Sequence, residues 1–284
     1  MHIVVCIKQV PDSAHIRVHP VTNTIMRQGV PAIINPYDLF AIEAALRLKD
    51  QLGARVTVMS MGPTQAEPAL RKAISLGCDE AILVTDRVFA GADTLATSYV
   101  LASAIRTLDK EMPVSLVFTG KQTIDGDTAQ VGPGIAKRLD MQLLTYVSRI
   151  VEIDPTQRRI VVERRAEGGV QVLETAMPAL ITMLEGSNEI RFASTPGMFR
   201  AARASIRHWD RNAAGIEDIK LVGLKGSPTI VSRVFGPTPR AEKARPIPFD
   251  PADPDSSAAS LLERLLNEMP KVRKELEQRR SGAQ

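Results

Sequence analysis

Short apolar runs alternate with helical patterns over the first half of the chain, and this alternation restricts the fold more than any other feature. Ile3–Ile7, Val56–Met61, Ala81–Val84 and Val114–Thr119 are runs of strand length. Helical spacing fills most of the intervals. One helix begins near Pro36, with Leu39, Ile42, Ala45, Leu46 and Leu48 on its apolar face, and others cover Gln65–Leu76, Thr94–Leu108 and Val131–Leu139. Gly77 is a favourable terminator for the second, and Asn35-Pro36 a favourable start for the first, because Asn accepts bonds from free N–H groups and Pro tolerates the first helical position. Strand and helix in alternation make a parallel sheet. Only the interval Ile16–Arg27 departs from it and reads as a short hairpin before the first helix.

From Leu143 the pattern changes to β-like runs at Thr145–Ile153, Arg159–Arg165, Val170–Thr175 and Ala179–Leu184, with Glu167-Gly168-Gly169 as a hairpin turn. These predict an antiparallel extension of the same sheet. Ser205–Asp255 is rich in Pro, Gly and charge and reads as an extended arm. Ser260–Arg279 returns to helical spacing, with Leu261, Leu262, Leu265, Leu266 and Met269 on one side. Such a stripe packs either on a partner subunit or back on its own domain. The expected organisation is an α/β domain over 1–204 and a C-terminal arm with an amphipathic helix over 205–284.

Hydrophobic residues at 44% and charged residues at 24% are ordinary for a folded globular chain, so disorder is not expected. No apolar run approaches the ~18 residues of a membrane span. The chain opens directly on a strand-like run, which reads as unprocessed and soluble. Cys6 and Cys78 form neither a disulfide framework nor a CxxC pair, in keeping with a reducing cytoplasm. A net charge of +4 with only 4% aromatics argues against nucleic-acid binding by stacking. His2, His15, His19 and His208 have no metal-ligand spacing, and no Ser-His-Asp arrangement can be argued from order. Trp209 and Met59 read as core or interface residues.

The segment that carries chemistry is TGKQTIDGDTAQVGPG, Thr119–Gly134, between a predicted strand and a predicted helix. Parallel sheets bind phosphates at such a turn. Gly120 and Gly126 allow sharp backbone turns, Thr128 can cap the helix, and Lys121 and Gln122 supply polar groups. Neither GxxxxGK[ST] nor GxGxxG is present. On residue chemistry alone two readings stand: a nucleotide cradle, or an ordinary strand–helix turn with Asp125 and Asp127 solvated.

GKQTIDGDTAQVGPGIAKRL strongly resembles the nucleotide loop of the electron-transfer flavoprotein beta subunit. VCIKQVPDS at Val5–Ser13, INPYDLFAIEAALRLK at Ile34–Lys49 and SNEIRFASTPGMFRA at Ser187–Ala201 resemble the same family in the same order, so the resemblance covers about residues 1–210. It implies a doubly wound, Rossmann-like α/β fold with a mostly parallel sheet, paired with an FAD-bearing alpha subunit. Carried over by position, the cofactor pocket comprises Cys6, Asn35, Pro36, Tyr37, Asp38, Met61, Gly120, Lys121, Gln122, Thr123, Ile124, Asp125, Gly126, Asp127, Thr128, Ala129, Gln130 and Val131. Cys6 is then a packing contact.

One branch of that family holds a structural AMP here. The other holds a second FAD and splits the electron pair of NADH between a low-potential and a high-potential acceptor. Gly126, Thr128, Ala129 and Val131-Gly132-Pro133 match the flavin version, whereas the AMP branch tends to carry acidic or amide side chains at positions 126 and 129. VVCIKQVPDS and INPYDLFAIEAA are most similar to the nitrogen-fixation type. The resemblance thus implies FAD as cofactor, with AMP as the alternative, NADH as donor, and ferredoxin or flavodoxin and a quinone-linked dehydrogenase as acceptors. Arg191–Arg200 corresponds to the family's partner-recognition loop, but Thr195 stands where members that dock to acyl-CoA dehydrogenases have Leu, which argues against such docking and allows a different partner. Arg200, Arg203, Arg207 and Arg211 fall at near-helical spacing and suit either an acidic electron carrier or a solvated basic face. An ATP-binding signalling domain of the same fold is a further alternative, opposed by the NEIRFASTPGMFRA segment and the long arm.

Overall fold

β1 (His2–Cys6) lies in the interior of a nine-stranded sheet, and all five of its residues are buried. The computed structural model describes residues 1–12, 17–18, 25–26, 31–229 and 248–281. After β1, β2 (Gln9–Pro11) pairs antiparallel with β5 (Ala32–Ile34), and β3 (Arg17–Val18) pairs antiparallel with β4 (Ile25–Met26). The expected hairpin over Ile16–Arg27 is present as those two short strands, and its remaining residues lie outside the described ones.

From there α1 (Pro36–Leu52), β6 (Arg55–Met61), α2 (Glu67–Leu76), β7 (Glu80–Val84), α3 (Thr94–Glu111), β8 (Leu116–Gly120) and α4 (Val131–Leu139) alternate as expected. The helix ends follow local chemistry. Gly53 closes α1 in the left-handed region at φ 65°, and Asp93 caps α3 by accepting from the N–H groups of Leu95 and Ala96. α2 is preceded by a 3-10 turn over Thr64–Ala66.

The sheet continues through β9 (Gln142–Asp154), β10 (Arg159–Ala166), β11 (Gly169–Ala176), β12 (Ala179–Met183) and β13 (Arg207–Trp209), with α5 (Thr195–Arg203) between the last two. Its order is β11-β10-β9-β12-β8-β1-β6-β7-β13. β9, β10 and β11 are antiparallel, joined at the second hairpin by Glu167-Gly168 with Ala166 opposite Gly169. β12 corrects the expectation of an antiparallel run, since it pairs parallel with both β8 and β9. It enters between two strands that already run in one direction, and an apolar run carries no sign of direction.

Alternate residues of the central strands serve two cores. Ile3, Val5 and Ile7 belong with the apolar residues of α1, α2 and α5, while Val4 and Cys6 belong with those of α3 and α4. Helices on both faces of a mostly parallel sheet make the doubly wound fold. His2 is 2% exposed and ties the layers, with Nδ1 3.1 Å from the Met112 carbonyl and Nε2 2.9 Å from Thr57 Oγ1.

The first compact unit runs from Met1 to Gly236, past the boundary expected at 204. β13 lies beyond that boundary and joins the sheet edge at β7, and Ala214 and Val222 are buried in the α3/α4 core. The second unit, Pro237–Gln284, contains α6 (Pro254–Glu268) and α7 (Pro270–Ser281). The single helix expected over Ser260–Arg279 is therefore two, separated at Met269 by the proline that follows it. Leu261, Leu262 and Leu265 are exposed on α6. The part of the expected arm at 230–247 lies outside the described residues.

Candidate nucleotide-binding site

The chain leaves β1 through α1 toward β6 on one side, and leaves β8 through α4 toward β9 on the other. The connections thus diverge between β1 and β8, and the crevice outside the carboxyl ends of such strands is where open α/β sheets take ligands. The loop Lys121–Gln130 lies at this end of the sheet. Cys6, Met61 and Gly120 end β1, β6 and β8, and Asn35–Asp38 form the start of α1, so strand ends, helix start and loop share one edge.

Gly120 is required by close approach. A Cβ there would stand 2.5 Å from Asp38 Oδ1 and 2.6 Å from the Tyr37 carbonyl carbon, because the first turn of α1 sits directly on it. Asp38, 4% exposed, accepts from the N–H groups of Lys8 at 2.8 Å and Gly120 at 3.1 Å. Burial pushes its carboxyl up to about 7, against the pull of those donors and of Lys8. Asn35 does not cap α1 as its sequence position predicts. Its Nδ2 donates to the Gln122 carbonyl at 2.8 Å and its Oδ1 accepts from Ile124 N–H at 3.1 Å, so a tertiary partner has displaced the local one.

The loop's charges are internally matched. Lys8 reaches Asp125 at 2.7 Å and, although burial opposes it, holds that carboxyl below the usual range. Lys121 was expected to offer its side chain to a ligand. Its ammonium instead lies 3.4 Å from Glu185 and 4.9 Å from the centre of the Tyr37 ring, 13% exposed, while its N–H donates to Met183. Gln122 is similarly engaged, donating to the carboxylate of Asp127, and Asp127 N–H donates to the Thr123 carbonyl at 2.8 Å.

Beyond Asp125 the backbone changes character. Asp127 and Ala129 have φ of 57° and 56°, in the left-handed region, and Gln130 returns to φ −101°, ψ −25°. Thr128 does not cap α4. The N-cap is Gln130, which makes no side-chain cap bond and whose Oε1 accepts from Thr94 Oγ1 at 2.8 Å. Left-handed and right-handed residues in succession make a concave nest of N–H groups, and an uncapped helix start adds to it. α4 itself approaches closely through Gly134, where a Cβ would stand 2.7 Å from Ser98 Oγ, and Gly132, where one would stand 2.8 Å from Thr119 Oγ1.

Cys6 is buried at the end of β1, and burial, with Asp38 nearby, pushes its thiol up to about 12, which leaves it unreactive. Met61 packs on the α3/α4 core. Lys8 and Glu185 are the charged residues that sequence reasoning missed. Lys8 lies two residues past β1, and that position, just beyond the carboxyl end of a central strand, was the available signal. A cavity lined by residues that include Met1, Val114, Arg158 and Met177 lies at the opposite end of the strands and involves none of these groups.

The four arginines expected on one helical face are divided. α5 ends at Arg203, and Arg200 donates to the Ile74 carbonyl at 2.8 Å. Arg207 lies on β13, paired with Glu80 and Glu111 and 4.8 Å from the Trp209 ring centre. On the segment before α5, Arg191 grips Glu43 and Asp50, and burial of Glu43 is outweighed by Arg191 and Arg47, which hold its carboxyl low. Phe192 beside it is 96% exposed. Among the described residues no cluster has metal-binding composition, and no helix is long and apolar enough to cross a membrane.

A doubly wound sheet with a backbone nest at its switch point defines an α/β protein of nucleotide-binding architecture. The electron transfer flavoprotein domain matches residues 22–214, and the chain belongs to that family. It is 64% identical over 279 residues to Protein FixA of Azotobacter vinelandii, covering 98% of this chain and 99% of that one. Protein FixA of Bradyrhizobium diazoefficiens is 58% identical over 277 residues, covering 97% and 95%. The electron transfer flavoprotein subunit beta of Clostridium acetobutylicum is 48% identical over 234 residues, covering 82% and 87%.

Proposed function

We propose that this chain is the beta-type subunit of a two-chain electron-transfer flavoprotein and that it holds FAD on Gly120–Val131. The observation that carries the reading is the backbone of Gly126–Val131, a left-handed and right-handed succession that opens an uncapped helix, as a pyrophosphate requires. The residues fit the group. Gly120 keeps the loop against α1, Asn35 and Asp38 hold its first half, and with Lys8 and Lys121 both paired the phosphates are held by N–H groups rather than by a free ammonium. Ala129 favours the dinucleotide over AMP. In the left-handed region Asn or Asp is better tolerated than Ala, whose strain is on the order of 1 kcal/mol, so the short side chain keeps space at that position.

FAD, when bound, supplies hydride acceptance and one-electron transfer, and the protein supplies binding and orientation. In this reading NADH is the donor, one electron goes to ferredoxin or flavodoxin, and the other goes through the alpha-subunit FAD to a quinone-linked dehydrogenase. The setting is the cytoplasm, and the role is support of nitrogen fixation, as in the type the sequence most resembles. The exposed leucines of α6 suit contact with the alpha subunit, and the Phe192 segment, held by Arg191, suits the dehydrogenase. No side chain acts as acid or base.

The test is NADH oxidation by the two-chain complex with both acceptors. Reduction of the low-potential carrier should require the quinone-side acceptor to be present. Reduction of either acceptor at full rate without the other overturns the bifurcating part of the proposal.

A further inference from the structure

We propose that Asn35 is a positioning residue: its amide fixes the first half of the nucleotide loop before any ligand arrives, and contact with the ligand falls to residues 126–131. The inference rests on the nucleotide reading above and assigns Asn35 a role different from the ligand contact that family resemblance implies. Asn35 is fully buried, and both ends of its amide are occupied by loop backbone, the Gln122 carbonyl and the Ile124 N–H. Its own backbone is fixed as well, with its N–H donating to the Lys8 carbonyl at 2.8 Å and its carbonyl accepting from Asp38 N–H at 2.9 Å.

Two further ties act beside it. Asp38 accepts from Gly120 N–H, and the Lys8 ammonium holds Asp125. Residues 120, 122, 124 and 125 are thus anchored to the segment just after β1 and to the start of α1. Among the described residues no hydrogen bond ties Gly126–Ala129 to another element. The loop is divided into an anchored half and a presenting half, and the left-handed residues lie in the presenting half. Asn35 is the central tie, since it satisfies one part-buried donor and one part-buried acceptor of the loop at once.

A positioning residue and a ligand contact differ in the ligand-free state, and the experiment uses that difference. Amide hydrogen exchange of Gln122–Asp125 is measured in the full chain stripped of nucleotide, and retention of FAD is measured in the two-chain complex, for wild type, Asn35→Ala and Asn35→Asp. Asn35→Ala should raise exchange at Gln122–Asp125 and weaken retention, each by about tenfold, the usual effect of leaving part-buried backbone groups without their partner. Asn35→Asp keeps the acceptor for Ile124 N–H and loses the donor to Gln122, so it should fall between the two and serves if the alanine variant does not fold.

Weakened retention with wild-type exchange in the stripped chain would mean that Asn35 touches the ligand, which overturns the proposal. Unchanged exchange with unchanged retention overturns it as well. A wild-type complex that retains no adenine nucleotide defeats the nucleotide reading instead, and the exchange comparison still decides whether Asn35 holds the loop.

Discussion

Asp38 and Gly120 show how closely the site is set at the scale of single residues. A methyl group at 120 would meet backbone of Tyr37 as well as Asp38, so it cannot be relieved by a side-chain rotation. Gly120→Ala should cost about 1–3 kcal/mol of stability and abolish nucleotide retention. Unchanged denaturation and unchanged retention would show that the first turn of α1 does not rest on the loop. Asp38 adds a pH dependence. Its carboxyl stands at about 7 in the folded chain against an ordinary 3.8, so the folded state binds the proton more tightly. Its contribution to stability is complete below about pH 4 and is lost as pH rises through 7. The stability difference between wild type and Asp38→Asn, from urea denaturation, should therefore shift against wild type across that window and level off above it. A difference independent of pH would contradict the burial that raises the group.

Among elements, α4 depends on the absence of side chains at its start. Gly132 and Gly134 let it press on β8, β12 and α3, where Cβ atoms would meet Thr119, Thr182 and Ser98. Gly134→Val should displace the helix start, destabilise the chain by about 1–3 kcal/mol, and weaken nucleotide binding together with stability. Calorimetry with a binding titration would show it, and loss of neither property would refute the close packing. The elements most legible in the sequence were those with local signals: Pro36 starting α1, Gly77 ending α2, Glu167-Gly168 turning β10 into β11. Elements set by distant partners were not legible. Asn35 has the chemistry of a helix cap, and only the arrival of Gln122 and Ile124 redirects it. β12 has an ordinary apolar run whose direction is set by β8 and β9 on either side. β13 is three residues long and is held to the edge by Arg207 with Glu80 and Glu111, a pairing across more than ninety positions in each case. Pro270 did carry the signal for the break between α6 and α7, and the leucine spacing around it concealed that signal.

In the molecule as a whole, the sheet's switch point, the paired charges of the loop and the left-handed residues before α4 converge on one claim, that the carboxyl edge between β1 and β8 is a backbone cradle for a dinucleotide. The place of this loop at the switch point was legible from the strand–glycine loop–helix order. The division of labour within it was not, because Lys8, Asn35, Asp38 and Lys121 act through contacts with residues far away in sequence. The flavin and AMP content of the chain purified with its alpha-subunit partner, by absorbance and mass spectrometry, decides whether such a cradle exists. Two FAD and no AMP per two-chain complex are expected, whereas one FAD with one AMP would overturn the dinucleotide cradle and leave a conventional electron carrier.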